Sequence, residues 1–269
     1  MHECTQNRNG GTHLKKIILL FICAVSAAFA QESNPATPYQ HRQLVNVPTA
    51  GMLNKGNYEI GMRLFANGGV LSNIGVGITD RFMIGISYGG EKIIGSGKVN
   101  FNPLPGVDVR YRAVDESTIG PAVTLGFNNQ GFGPYYKSVD TVKVNRYTQK
   151  SRGLFITASK NYAFAGNLGI HGGISWSVTE KKDKDNQPAF FVGVDKSIND
   201  ELTAVWEYDL ALNDNKDIIG HGRGYMNVGA KLNFGQKVMV EFIMTDILNN
   251  SKDIGKFSRE LRLSLIHAF

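Results

Sequence analysis

The chain has 269 residues, with 29 Lys and Arg against 23 Asp and Glu, 31 glycines, 8 prolines and 2 cysteines. The charge excess is too mild to argue for nucleic acid, and no run of about 18 apolar residues supplies a transmembrane helix. Cys4 and Cys23 both precede a predicted cleavage point, so the mature chain is left with no disulfide and no thiolate metal site.

Lys15 and Lys16, the apolar run Ile17 to Val25 and Ala28-Phe29-Ala30 before Gln31 together read as a secretory signal. The run is too short to span a bilayer. Ile22 ahead of Cys23 argues against a lipoprotein signal, because a small residue is wanted there. Residues 1–30 are therefore a leader, whose first 13 residues form an extension. Residues 31–55 carry Pro35, Pro38 and Pro48 and no sustained period. They read as a periplasmic lead-in with part tucked against the mouth of the domain that follows.

From Gly56 the signal is period-two alternation, the mark of strands with two unlike faces. Tyr58, Ile60, Met62 and Leu64 share one face, with Glu59, Gly61 and Arg63 on the other. The pattern recurs at Ile74–Ile78, Phe82–Tyr88, Val107–Ala113, Val123–Phe127, Leu154–Ala158, Leu168–Trp176, Phe190–Val194, Leu202–Leu210, Met226–Phe234, Val238–Met244 and Leu261–Phe269. That makes about twelve strands, within ten to fourteen, and an even number suits a single-chain bacterial barrel. Counted back from Phe269, the connections alternate. Segments 245–258, 211–223, 177–188, 128–152, 89–106 and 66–70 are mostly long and polar, whereas 234–237, 197–201, 162–167, 114–119 and 79–81 are short. Short periplasmic turns alternating with longer outer loops are expected of a barrel, and a soluble β-sandwich has no reason to show them. Tyr58, Tyr88, Tyr111, Phe127, Trp176, Tyr208 and Phe234 near strand ends fit interface girdles. The predicted fold is an all-β, transmembrane, antiparallel up-and-down barrel over 56–269, in the cell outer membrane.

The second face holds the polar chemistry. Glu59, Arg63, Asp108, Arg110, Arg112, Glu207, Asp209, Lys231, Glu241 and Arg262 should point into the lumen. A twelve-stranded barrel is narrow, so these charges are expected to pair, since unpaired charges there cost too much. The result is either a salt-bridged plug or a conduit lined by both signs. A hydrolytic set of His171, Ser175 and Glu207 would need hydrogen-bond reach between its members. Residues four apart on a strand are roughly 13 Å apart, so His171 and Ser175 cannot touch, and His171 reads as a lumen histidine bonded to a neighbour. His221 falls on an outer loop. The glycine-rich stretch 91–104 lacks Walker spacing and reads as an outer loop or a segment folded into the lumen. The stretch beginning at Gly126 opens the longest loop and reads as plain loop. No metal-ligand spacing appears, and no cofactor is implied.

Ser159-Lys160-Asn161-Tyr162, the glycine-rich strand after it and Glu207-Tyr208-Asp209 resemble the YjbH-type outer-membrane barrel family, over about half of the mature chain. Members are typically much longer, so this chain would be a barrel-only relative. The resemblance implies a non-enzymatic role linked to exopolysaccharide export or envelope maintenance, with polysaccharide or export-system proteins as partners. A small-solute porin and a lipid- or glycan-modifying barrel are the alternatives. Outer-membrane lipid and lipopolysaccharide are expected contacts. Phe269, ending a strand with Leu261, Leu263 and Leu265 on its face, resembles the signal read by barrel-assembly machinery, with His267 departing from that pattern.

Overall fold

The computed structural model describes residues 40–235, 237–252 and 257–269; the predicted leader, with Lys15, Lys16, both cysteines and Ala28-Phe29-Ala30, lies outside the described residues. The strands are β1 (Asn57–Phe65), β2 (Gly69–Thr79), β3 (Phe82–Glu91), β4 (Asn100–Phe101), β5 (Gly106–Val114), β6 (Ala122–Asn128), β7 (Phe132–Val139), β8 (Val142–Gln149), β9 (Gly153–Ala163), β10 (Asn167–Trp176), β11 (Ala189–Ser197), β12 (Leu202–Asp209), β13 (Tyr225–Phe234), β14 (Val238–Thr245) and β15 (Ser258–Ala268). Twelve of them pair antiparallel in the ring β1-β2-β3-β5-β6-β9-β10-β11-β12-β13-β14-β15. β15 pairs back onto β1 from Asn57↔Ala268 to Leu64↔Leu261, so the sheet closes. β4 extends the top of β3, and β7 with β8 forms a separate hairpin.

Closure follows from where the backbone must find its partners. In hydrocarbon every N–H and C=O needs an internal partner, and a closed ring of strands provides it. The outward positions supply the lipid face. Ile60, Ile74, Ile84, Ile86, Leu125, Leu154, Ile156, Val192 and Phe242 are all exposed, a belt that water would not tolerate on a soluble protein. The barrel therefore spans a membrane, and this architecture places it in the outer membrane. Exposed Tyr88, Tyr111, Trp176 and Phe234 lie toward the edges of the belt.

The connections alternate as the sequence indicates. Residues 80–81, 115–121, 164–166 and 198–201 make the short periplasmic turns. Residues 92–105, 129–152, 177–188, 210–224 and 246–252 lie in the outer loops, and 66–68 forms a tight outer turn. One segment differs from expectation. The loop after Asn128 is not plain: it folds as the β7–β8 hairpin, whose second strand is buried from Arg146 to Gln149. The stretch 91–104 stays outside, with Ile93, Ile94, Phe101 and Leu104 exposed.

Candidate functional site

The lumen is occupied by the chain's own lead-in. Residues 42–49 form a tight hairpin-like loop: Gln43 bridges Pro48, Leu44 N–H donates to the Val47 carbonyl at 3.0 Å and Thr49 N–H to the Arg42 carbonyl at 3.1 Å. Its apex is Val45–Asn46, and it sits deep in the barrel rather than at the mouth. Leu44, Val45 and Val47 are fully buried against Phe191, Val205 and Ile243. These three are inward residues of β11, β12 and β14, and they form an apolar seat on a largely polar face. Nearer the periplasm, Met52 and Leu53 pack on Met83 and Ile266.

The loop has no strand partner, so its backbone polar groups would be costly orphans in a buried space. Lumen side chains meet them one by one. The Glu207 carboxylate accepts the N–H groups of Val45 (2.8 Å), Asn46 (2.8 and 3.0 Å) and Val47 (3.0 Å), as an anion sits in a nest of consecutive backbone N–H groups. Asn227 Nδ2 adds a further donor to the same carboxylate at 2.6 Å. On the acceptor side, Arg262 Nη2 donates to the Val45 carbonyl (2.6 Å), Arg152 Nε to that of Asn46 (3.3 Å) and Lys231 Nζ to that of Gln43 (2.8 Å). Thr157 donates to the Pro48 carbonyl at 3.1 Å. Arg112 and Thr124 both donate to that of Ala50, and Arg110 Nη1 donates to that of Arg42 at 2.5 Å.

The ten inward charges of the sequence are thus brought together around one object. Nine are buried and Asp108 is partly so. Some pair with each other: Arg110 with Asp108 (3.0 Å), and Glu241 with Lys231 (3.3 Å) and Arg262 (3.2 Å). Glu59 pairs with Arg42 of the lead-in. Arg63 pairs with Glu260 (2.5 Å) while its Nη1 reaches Asn46 Oδ1 (2.8 Å). Asp209 takes Arg152 (2.6 Å).

His171 does not meet Ser175 or Glu207. Its Nδ1 lies 2.7 Å from Ser159 Oγ and its Nε2 lies 2.5 Å from Asp195 Oδ1. Ser159, His171 and Asp195 come from β9, β10 and β11, three adjacent strands whose register cannot be read from one sequence. The Ser159 hydroxyl accepts the Ala50 N–H at 2.8 Å. Asp195 holds His171, His171 orients Ser159, and Ser159 grips the lead-in. The serine oxygen is covered by that peptide, so the set acts as a clasp.

A second closure comes from outside. Arg146 on β8 pairs with Asp183 (3.2 Å) and with Asp214 (2.7 Å) at the end of the short 3-10 helix η1 (Leu212–Asp214). Lys150 pairs with Asp183 at 2.7 Å. Glu180, on the 177–188 loop, accepts the N–H groups of Tyr147 (2.7 Å) and Ser151 (2.6 Å). The two closures touch: Asn46 Nδ2 donates to Gln149 Oε1 at 2.6 Å, and Gln149 Nε2 donates to Asp209 at 2.9 Å. Burial pushes the Glu180 carboxyl above the usual range, against the pull of its N–H donors.

The filling is incomplete. A cavity of about 90 Å³ remains beside the lead-in, lined by residues of β1, β2, β3, β5, β6, β13, β14 and β15 and by His41, Arg42 and Gln43 of the lead-in itself. Small residues on the inward face of β2 and β3, Asn73, Gly75, Gly85 and Ser87, contribute to the space, with Leu71 also on the cavity wall. A polar cavity of this size holds several waters. Among the described residues there is no cluster of three or more metal-ligating side chains.

No family model matches the sequence, and no curated protein matches it. Among solved structures the chain is similar to the KdgM porin, at 7% identity over 79% of this chain and 99% of that one, with a TM-score of 0.45. The same porin in complex with disordered oligogalacturonate gives 8% identity, 79% and 99% coverage and a TM-score of 0.47. The translocator domain of the autotransporter NalP from Neisseria meningitidis gives 12% identity, 79% and 86% coverage and a TM-score of 0.35. At such identities the likeness is one of barrel architecture.

Proposed function

We propose that this protein is a narrow, gated outer-membrane channel for small polar solutes, held shut by residues 42–53 of its own chain. One observation carries the reading: the gate does not fill the polar lumen and leaves beside it a cavity walled by charged side chains. A barrel that served only as a scaffold would gain more by filling that wall with packed side chains. The gate is fixed by hydrogen bonds, ion pairs and apolar packing against strand side chains, so it can be withdrawn without breaking any ladder of the barrel. An export role for exopolysaccharide rests on the family resemblance alone. Glu207, Asp209 and Ser159, which belong to the motifs of that resemblance, here hold the gate.

Planar-bilayer recording of refolded protein tests the reading. The full mature chain should show rare, small openings, and a variant lacking residues 40–52 should show a stable unitary conductance. A correctly folded deletion variant that does not conduct would rule out a channel, and a large, steady conductance from the full chain would rule out the gate.

A further inference from the structure

We infer that the conduit beside the gate selects small anions, such as inorganic phosphate or short carboxylates, an inference that rests on the channel reading above. The argument starts from the charge on the cavity wall. Arg42, Arg63, Arg110, Lys231 and Arg262 line it, against three carboxylates, Glu59, Asp108 and Glu241. Each of those carboxylates already faces a cation. Arg42 covers Glu59. Arg110 covers Asp108 through Nε at 3.0 and 3.1 Å and Nη2 at 3.0 Å. Lys231 and Arg262 both cover Glu241. The carboxylate that balances Arg63 is Glu260, which is not among the residues lining the cavity.

The two signs therefore present themselves unequally to a solute. A carboxylate is an acceptor only, and its lone pairs here are turned to guanidinium and ammonium groups. A guanidinium has five N–H donors in a fixed fork. The carboxylates and the gate take some of them, Arg110 donating to the Arg42 carbonyl, Arg262 to that of Val45 and Arg63 to Asn46 Oδ1. The remainder, with the excess of cations over carboxylates on the wall, favours an anion over a cation. The rest of the wall, which includes His41, Asn73, Ser87, Asn128, Gln130 and Ser264, adds no acidic group. Low dielectric strengthens each of these terms, and rings of Arg and Lys are the device by which pores pass anions and phosphate.

The test is the reversal potential of the refolded full chain and of the variant lacking residues 40–52 in a KCl gradient, with phosphate then replacing chloride. The expected chloride-to-potassium permeability ratio exceeds about 2, the direction that a cationic lining sets. Joint Arg63→Gln and Arg110→Gln substitution should bring it toward 1, and joint Arg63→Lys and Arg110→Lys substitution should keep it. A ratio at or below 1 in channels that do conduct overturns the anion inference and leaves the channel reading standing. Absence of conductance from the folded deletion variant removes the channel reading, and the inference with it.

Discussion

Glu207 is fully buried, and among the described residues it is satisfied by four N–H donors and no ion pair within 4.0 Å. Three of those donors are backbone groups of the gate's apex, with no strand to turn to. Glu207→Ala would strand them, at about 1–3 kcal/mol for each buried donor left unmade. The expected outcome is a gate that leaves the lumen, measured as protease cleavage within residues 42–53 of a folded barrel. Glu207→Gln should have a smaller effect, because one amide oxygen can still accept. Gly193 supports the same seat by having no side chain, since a Cβ there would collide with Leu44. Gly193→Leu should therefore open the gate and leave the strand ladders intact, which the same cleavage assay would show against unchanged far-UV circular dichroism. At this scale the sequence was legible in part. Period two put Glu207, Asp209 and the other charges on one face, but their partner has no period and so could not be assigned. The signal that points to it is apolar: Phe191, Val205 and Ile243 fall on the polar face, where a water-filled lumen has no use for them. Ser159 and Asp195 stayed out of reach for another reason. Their meeting with His171 depends on the register of three strands, and a single sequence does not encode register visibly.

The gate and the β7–β8 hairpin close the lumen from opposite ends, meeting at Asn46 and Gln149. Twelve strands and their alternating connections were readable because barrel strands repeat a pattern. The hairpin was not, because its strands lack the period-two pattern: β8 is buried at four consecutive residues, Arg146 to Gln149, instead of at every second one. Its docking carries a pH dependence. A carboxyl whose folded-state pKa is raised keeps its proton longer in the docked state than in the undocked one. Docking is then strongest below the ordinary carboxylate range and weakens as pH rises through the window up to the raised value. For Glu180 the cause is burial. The protection of residues 144–152, taken relative to the intrinsic exchange rate at each pH, should thus fall from about pH 4.5, the ordinary value for this carboxyl, toward neutrality. Glu180→Gln should flatten that profile; an unchanged profile would remove Glu180 as its origin.

At the scale of the whole molecule, the ring of strands and its contents are separable. The barrel is closed by eight residue pairs between β1 and β15, none of which involves the gate. Deleting residues 40–52 should leave a protein that migrates as a compact species in unheated detergent gels and keeps its strand circular dichroism. Its unfolding midpoint should fall, since the seats formed by Phe191, Val205 and Ile243 and by Met83 and Ile266 would face water. Loss of the compact species would mean that the lead-in is part of the fold rather than an insert in it.

The place where the gate is tethered has a consequence for how the protein is built. The lead-in runs directly into β1, and β1 is one of the two strands that meet at the seam. While β1 and β15 are apart, the chain is an open curved sheet with two unpaired edges, and the Glu207 carboxylate faces whatever solvent fills the trough. The loop can settle into that trough sideways, through the open seam, instead of threading a finished ring end-on. Joining the last strand to the first would then seal the cargo and remove both sticky edges in a single event during biogenesis.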